Sequence, residues 1–361
     1  VTTAKITDAN VTAAKVSSSV AQLGKNLIQN GAMTVTQRGA SATALTGNTM
    51  TQIDRHRMWE NSAAEYTTAQ DTDVPSTGEF ANALKIAVTT AEASVADGDF
   101  NVIFQRFEGQ DFRQLAYNTA SAKTLTFSGW IRSTKTGVIC AFLKQNDGSK
   151  SYVREITIDT TNTWQQFEVT FPGDTAAGTA WNDDDTLGGQ VGLCLDGGAT
   201  YQNTAGAWHS GTVFCTSNQI NASDNTSNTI HLTGLQLEVG SVATDFEHEP
   251  FSVTLAKCQR HYFQRTQRPQ GAGTVQTATL SPVQVEFPVT MRAVPTVVVS
   301  DVSKGDLRDG TNTFATTAIA LDLGGTSSCQ LLITTGSSLT AGNGSLLFMD
   351  TSEYIAYTAE L

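Results

Sequence analysis

Charge is scarce in this chain of 361 residues: Asp, Glu, Lys and Arg together make up 16%, against about 25% in an average soluble domain. Thr, Ser, Asn and Gly fill the gap, so the surface holds water through hydroxyls and amides. That composition is typical of extracellular β-proteins and virion parts. Positive charge is scarcer still. The net charge of −12 is spread along the sequence and repels a phosphate backbone, which argues against nucleic-acid binding. No apolar run approaches the roughly 18 residues of a membrane-spanning helix, and no signal-peptide pattern opens the chain. The first residue is Val1, which fits either processing or excision from a longer polypeptide. Cys140, Cys194, Cys215, Cys258 and Cys329 are odd in number and never form C-x-x-C. Neither a zinc knuckle nor a disulfide framework is indicated, and the expectation is buried, reduced thiols.

Catalytic signatures are missing too. Gly-x-Ser-x-Gly, His-Glu-x-x-His and a phosphate-cradling Gly-x-x-x-x-Gly-Lys-Ser/Thr are all absent. His56, His209, His231, His248 and His261 are dispersed, which points to structural roles rather than a metal box. The reading is a non-enzyme with no cofactor and no metal. Asp183-Asp184-Asp185, between Asn182 and Thr186, forms an oxygen-rich loop. Calcium takes six to eight oxygens, but three consecutive Asp side chains point in different directions, so a solvated loop is favoured.

What is present begins with a short repeat. Val1-Thr2-Thr3-Ala4-Lys5-Ile6 returns ten positions later as Val11-Thr12-Ala13-Ala14-Lys15-Val16. Two copies cannot bury a core alone, so residues 1–22 need upstream copies or sister chains. From 23 to 250 the dominant signal is period-two alternation. Leu125, Phe127 and Ile131 share one strand face, as do Phe167, Val169 and Phe171, and Val191, Leu193 and Leu195. In Ile230–Val239 the apolar phase slips by one residue across Gly234, as a β-bulge would make it do. Turns are expected at Asn146-Asp147-Gly148, Pro172-Gly173-Asp174, Gly188-Gly189 and Asp196-Gly197-Gly198. The pattern predicts a β-sandwich or jelly roll. Residues 251–268 read as a connector, with Ser252 capping a short helix on which Leu255, Cys258 and Tyr262 share a side. Lys257, Arg260, Arg265 and Arg268 lie on it or just beyond. Alternation returns over 269–361, a second and smaller β-domain.

The stretch Asn26-Leu27-Ile28-Gln29-Asn30-Gly31-Ala32-Met33, with Gln37-Arg38-Gly39 and Asp54-Arg55, resembles the opening of a domain found in phage and prophage tail proteins. The likeness continues through Thr126-Phe127-Ser128-Gly129-Trp130-Ile131-Arg132-Ser133, Tyr152-Val153-Arg154-Glu155, Thr163-Trp164 and Phe171-Pro172-Gly173-Asp174. It closes with Thr233-Gly234-Leu235-Gln236-Leu237-Glu238-Val239-Gly240, Phe246-Glu247-His248-Glu249-Pro250-Phe251 and Leu255-Ala256-Lys257-Cys258-Gln259-Arg260-His261-Tyr262. The family more usually has its Trp directly after Asp-Arg, whereas here Trp59 follows Asp54-Arg55 at a distance. Phe287-Pro288-Val289-Thr290-Met291-Arg292, Pro295-Thr296 and Ala359-Glu360-Leu361 look like the small β-domain downstream in such fibres, and the N-terminal repeat resembles those of fibre shafts.

The resemblance implies an all-β chain: a jelly roll like that of carbohydrate-binding modules, a short connector helix and a smaller C-terminal β-domain, in a homotrimer. The implied role is a bacteriophage tail fibre or tip protein on the virion, made in the bacterial cytoplasm. Its partners would be other virion proteins through the N-terminal segment and a host-surface glycan or receptor, without membrane insertion. A purely architectural adaptor or head-decorating fibre is the alternative, and a polysaccharide depolymerase the third reading. A flat aromatic ring suits the C–H face of a sugar while polar groups bond its rim. Trp181, Tyr201 and Trp208 sit in Gly/Asn/Asp/Thr-rich stretches and, with Asp183, Asp184 and His209, make the candidate glycan patch. Rings that tuck over the sandwich or fill a trimer interface remain the alternative. Trp130 and Trp164, within strands, are expected to pack in the core or sheet.

Overall fold

In a strand, alternate side chains leave opposite faces of the sheet, and the computed structural model sorts the alternating segments accordingly. It describes residues 24–361 apart from 42, 46, 177, 179, 267–269, 337 and 338. The N-terminal repeat and Arg268 therefore lie outside the described residues. The chain builds β1 (Thr43–Ala44), β2 (Asn48–Met50), β3 (Arg57–Asn61), β4 (Glu65–Asp71) and β5 (Ala83–Thr90). There follow β6 (Phe100–Glu108), β7 (Leu125–Ser133), β8 (Gly137–Gln145), β9 (Lys150–Ile158) and β10 (Gln165–Phe171). The last three of this unit are β11 (Leu187–Gly197), β12 (Trp208–Ser210) and β13 (Thr229–Val239). They form a six-stranded sheet, β1-β4-β5-β13-β7-β10, and a seven-stranded sheet, β12-β9-β8-β11-β6-β3-β2. Every ladder is antiparallel, and the two sheets make the expected jelly-roll sandwich.

One hydrophobic cluster fills the space between the sheets. Leu125, Phe127 and Ile131 of β7, Phe171 of β10 and Val191 and Leu193 of β11 are all at most 1% exposed within it. Each such side chain contributes roughly 1.5–3 kcal/mol through burial. The outer faces of the two sheets differ. On the seven-stranded sheet a second cluster joins Phe100, Phe104 and Phe142 to Phe214 and Cys215, from the excursion between β11 and β13. That excursion is tied down by Cys140 N donating to Gln219 Oε1 at 2.7 Å and by a parallel bridge from Val138 to Gln219. All five cysteines are buried and unpaired. The outer face of the six-stranded sheet is covered along only part of its area, leaving Ser128, Trp130 and Arg132 half-buried and Gln166 and Glu168 exposed.

Three local expectations need correcting, the first because Asp196 and Gly197 lie within β11, paired with Asn101 and Phe100, and form no turn. Gly188 and Gly189 form no turn but lie inside β11. A Cβ on Gly189 would come within 2.4 Å of the Phe112 ring and one on Gly188 within 2.5 Å of Gly109 Cα. These glycines serve close approach rather than chain reversal. The helix spans Phe251–Gln259 with Pro250, not Ser252, at its N-cap, and its buried residues are Thr254 and Cys258. Proline suits that end because its missing N–H would have no intrahelical partner.

Beyond the helix, β14 (Tyr262–Arg265), β15 (Gly271–Thr274), β16 (Leu280–Glu286), β17 (Thr296–Val299) and β18 (Gly305–Asp309) begin the second unit. It is completed by β19 (Asn312–Gly324), β20 (Ser328–Thr335), β21 (Gly344–Met349) and β22 (Ile355–Thr358). Six strands close into a barrel, β15-β16-β20-β19-β18-β21, beside the three-stranded sheet β14-β22-β17. A separate cluster including Leu307, Leu331, Leu347 and Tyr357 forms its core.

The two units meet through charge. Arg260 donates to both oxygens of Glu108 at 2.8 and 2.7 Å. Glu360 accepts from Arg38 at 3.1 Å and from Arg55. Arg106 donates to the Leu361 carbonyl at 2.6 Å. Burial opposes ionisation of Glu360, but Arg55 and Arg38 hold its carboxyl below the usual range. Burial pushes Asp54 up to about 6 even though Arg38 pulls it down.

Glu60 on β3 has no such cation. It is 9% exposed, and its Oε1 has no hydrogen-bond partner among the described residues. Burial, reinforced by Glu65, pushes it up to about 8 from 4.5. The folded state therefore binds a proton that the unfolded chain has released, and stability present below the unfolded value is lost as pH rises through the folded one. Glu60→Gln should be near neutral at about pH 4 and stabilising by about 1–3 kcal/mol at about pH 9. Urea midpoints at the two pH values check this; an equal effect at both would disprove it.

Candidate ligand-binding groove

The phase slip read at Gly234 is a bulge. On β13, Thr233 pairs with Trp130 and Gln236 with Ser128, so Gly234 and Leu235 stand opposite the single residue Gly129 of β7. Gly234 has φ +60°, a region that favours glycine. A Cβ there would lie 2.6 Å from the Phe80 ring and 3.2 Å from Trp130. Leu235 turns its backbone away from the sheet, donating to Gly31 O at 3.0 Å and accepting from Asn26 Nδ2 at 3.1 Å. The bulge thus makes room beside Trp130.

Register supplies the floor. Trp130 and Ser128, in the phase opposite to Phe127 and Ile131, stand on the outer face of β7. Their partners on β10 are Gln166 and Glu168. The segment after β13 forms a wall. Ala243 N donates to Glu168 Oε1 at 2.8 Å, and Thr244 N to Glu238 Oε1 at 2.9 Å. Gln236 donates to Thr244 O at 3.1 Å and accepts from Glu247 N at 2.9 Å. Floor and wall enclose a groove of about 410 Å³ whose lining also includes Asp245 and Phe246.

The groove is lined by polar groups left over after this bracing. Trp130 Nε1, Ser128 Oγ, the Gln166 amide, Glu168 Oε2 and the Asp245 carboxylate have no hydrogen-bond partner among the described residues. All reach solvent, so none carries the penalty of a buried unpaired group. Further along the same face the polar groups are paired. Asp73 accepts from Arg132 at 2.6 Å and from Trp164 Nε1 at 3.0 Å, and His231 lies 3.6 Å from Asp71.

The sequence-derived patch is divided differently. Trp181 and Trp208 do meet, with ring centroids 6.1 Å apart, and both contact Tyr117. Their indole N–H groups are occupied, by Asp174 Oδ2 at 3.1 Å and Pro172 O at 3.2 Å. Both rings pack against the main core as a half-buried cap. Tyr201 is not with them: it packs on Phe100 and Phe214 in the outer cluster of the other sheet, at 4.6 and 5.5 Å. Its grouping with Trp181 and Trp208 is corrected, because the excursion after β11 carries it across that sheet's outer face. Asp183 lies 3.4 Å from exposed Arg113, Asp184 accepts from Thr186 Oγ1 at 2.5 Å, and His209 contacts Thr204 O at 2.7 Å. Hydrogen bonds from Thr186 hold the Asp184 carboxyl below its usual range. Among the described residues, no three His, Cys, Asp or Glu side chains converge as a metal site.

Trp130, assigned above to packing, is instead the aromatic whose N–H is free in an open groove. The signal was present: the alternation that sends Leu125, Phe127 and Ile131 inward sends Trp130 outward.

No family model matches the sequence, and no curated protein matches it. Several solved structures are similar over part of the chain. The enzymatically active domain of tailspike protein 4 from bacteriophage CBA120 is 10% identical, covering 60% of this chain and 22% of that one, with a TM-score of 0.31. A putative sugar-binding protein from Bacteroides thetaiotaomicron is 10% identical over 60% of this chain and all of its own, with a TM-score of 0.33. A family 11 carbohydrate-binding module of a Clostridium thermocellum cellulase is 14% identical over 55% and 98%, with a TM-score of 0.29. At such scores the likeness carries no inference about ligand or activity.

Proposed function

We propose that this chain binds a glycan, without transforming it, in the groove on the six-stranded sheet, and that it does so as a bacteriophage tail fibre or tip subunit facing the host. The observation that supports glycan binding is the half-buried Trp130 ring with its free Nε1, set among a free hydroxyl, an amide and carboxylate oxygens. A sugar ring offers an apolar C–H face and a hydroxyl rim, and this arrangement meets both. The virion setting rests on the tail-protein resemblance of residues 26–262. In a homotrimeric fibre, repeated weak sites would add up to firm attachment through effective concentration.

The test uses oligosaccharides prepared from the host's surface polysaccharide. Calorimetry should show weak, saturable binding, and the purified protein should compete with particles for host cells. Newly formed reducing ends after incubation with the intact polysaccharide would overturn the non-enzymatic reading. Absence of binding to any host saccharide would overturn glycan recognition and leave the architectural alternative.

A further inference from the structure

Resting on that reading, we infer that the groove takes uncharged or amine-bearing sugars and rejects uronates and other acidic sugars. Among the described residues, the ionisable side chains in its lining are Glu168 on the floor and Asp245 on the wall, and no Lys, Arg or His lines it. Glu168 keeps one carboxylate oxygen free and Asp245 keeps both, among the described residues. The neighbouring cations Lys25 and Arg132 lie outside that lining. Lys25 Nζ donates to Thr244 Oγ1 at 2.5 Å and to Asp245 O at 2.6 Å. Arg132, two residues beyond Trp130 on the same face of β7, is paired with Asp73 at 2.6 Å and donates to Asn162 O at 3.1 Å.

The carboxylate of a uronate stacked on Trp130 would face the like charges of Glu168 and Asp245, with no cation among the described lining residues to meet it. Like charges a few ångströms apart near a protein surface repel strongly enough to change an equilibrium by about ten-fold or more. Carboxylate oxygens are acceptors only, so they suit the donating hydroxyls of a neutral sugar and suit an ammonium better still. Ser128 Oγ and the Gln166 amide donate and accept, and serve either ligand.

Matched oligosaccharide sets test this: galactan, polygalacturonan and polygalactosamine fragments, with cellulose, polyglucuronan and chitosan fragments as a second set. Titrations run at low and high salt with the wild-type protein and the Glu168→Gln/Asp245→Asn double variant. In a set that binds, the neutral and amino sugars should bind at least about ten-fold more tightly than the uronate at low salt. The gap should shrink at high salt and in the double variant, in which the amides keep hydrogen-bonding capacity and lose charge. Uronate binding equal to neutral binding in the wild type overturns the charge selection and leaves glycan binding standing. If no fragment in either set or from the host polysaccharide binds, glycan binding itself falls.

Discussion

Glu360→Ala should lower stability by about 3–5 kcal/mol, the cost of breaking a buried ion pair from one side. An exposed pair would contribute about 0–1 kcal/mol, so the burial of the partners decides the size. The side chains of Arg55 and Glu360 are 3% and 6% exposed. Arg55 also donates to Gln29 Oε1 at 3.0 Å and Arg106 O at 2.7 Å, so it cannot swing into water when its carboxylate is removed. Arg38 loses a partner as well but retains Asp54 at 3.1 Å. The damage is expected at the junction between the two β-units. Amide exchange should quicken first in β14 and β22, which pair with each other next to Glu360. Glu360→Gln, which preserves hydrogen-bonding groups and removes the charge, should fall between. Urea unfolding of the three proteins measures the effect. A loss below about 1 kcal/mol would mean that water screens the pair and that the junction is held by packing alone.

The tryptophans should separate binding from stability. Trp130→Ala should weaken glycan binding by about 2 kcal/mol, roughly thirty-fold, as expected for a central aromatic contact, and leave the sandwich intact. Trp208→Ala should do the reverse. Its ring stacks edge-on against Tyr152 at 5.2 Å and Trp181 at 6.1 Å and caps the core. Removing it opens a cavity and frees Pro172 O of its donor, at a cost of about 2–4 kcal/mol, with binding retained in the protein that remains folded. Thermal unfolding and calorimetry on both variants distinguish the two roles. Loss of binding in Trp208→Ala at full folding would move the site to the cap formed by Trp181 and Trp208.

Much of the strand pattern was legible. Period-two alternation assigns Leu125, Phe127, Phe171, Val191 and Leu193 to one face each because successive side chains on an extended chain must diverge. The phase slip at Gly234 identified the bulge for the same reason. β18 and β19 were not anticipated: the Thr- and Ala-rich run Asn312–Gly324 has little hydrophobic contrast, and its period is weak. Gly188-Gly189 looked like a turn because a glycine needed for close packing has no local mark that distinguishes it from one needed for reversal.

Alternation and composition by themselves determined an all-β chain, the two faces of β7, β10 and β11 and the break near Pro250. Only the tertiary structure decided which sheet face is covered, which tryptophan opens into a groove and which carboxylate sits on Arg55. Local periodicity records that a side chain faces one way or the other. It does not record that the excursion after β11 folds over one sheet and leaves Trp130 open on the other, nor that Glu360 returns across 305 positions to Arg55. Those contacts form between segments far apart in the chain, and no short-range pattern encodes them.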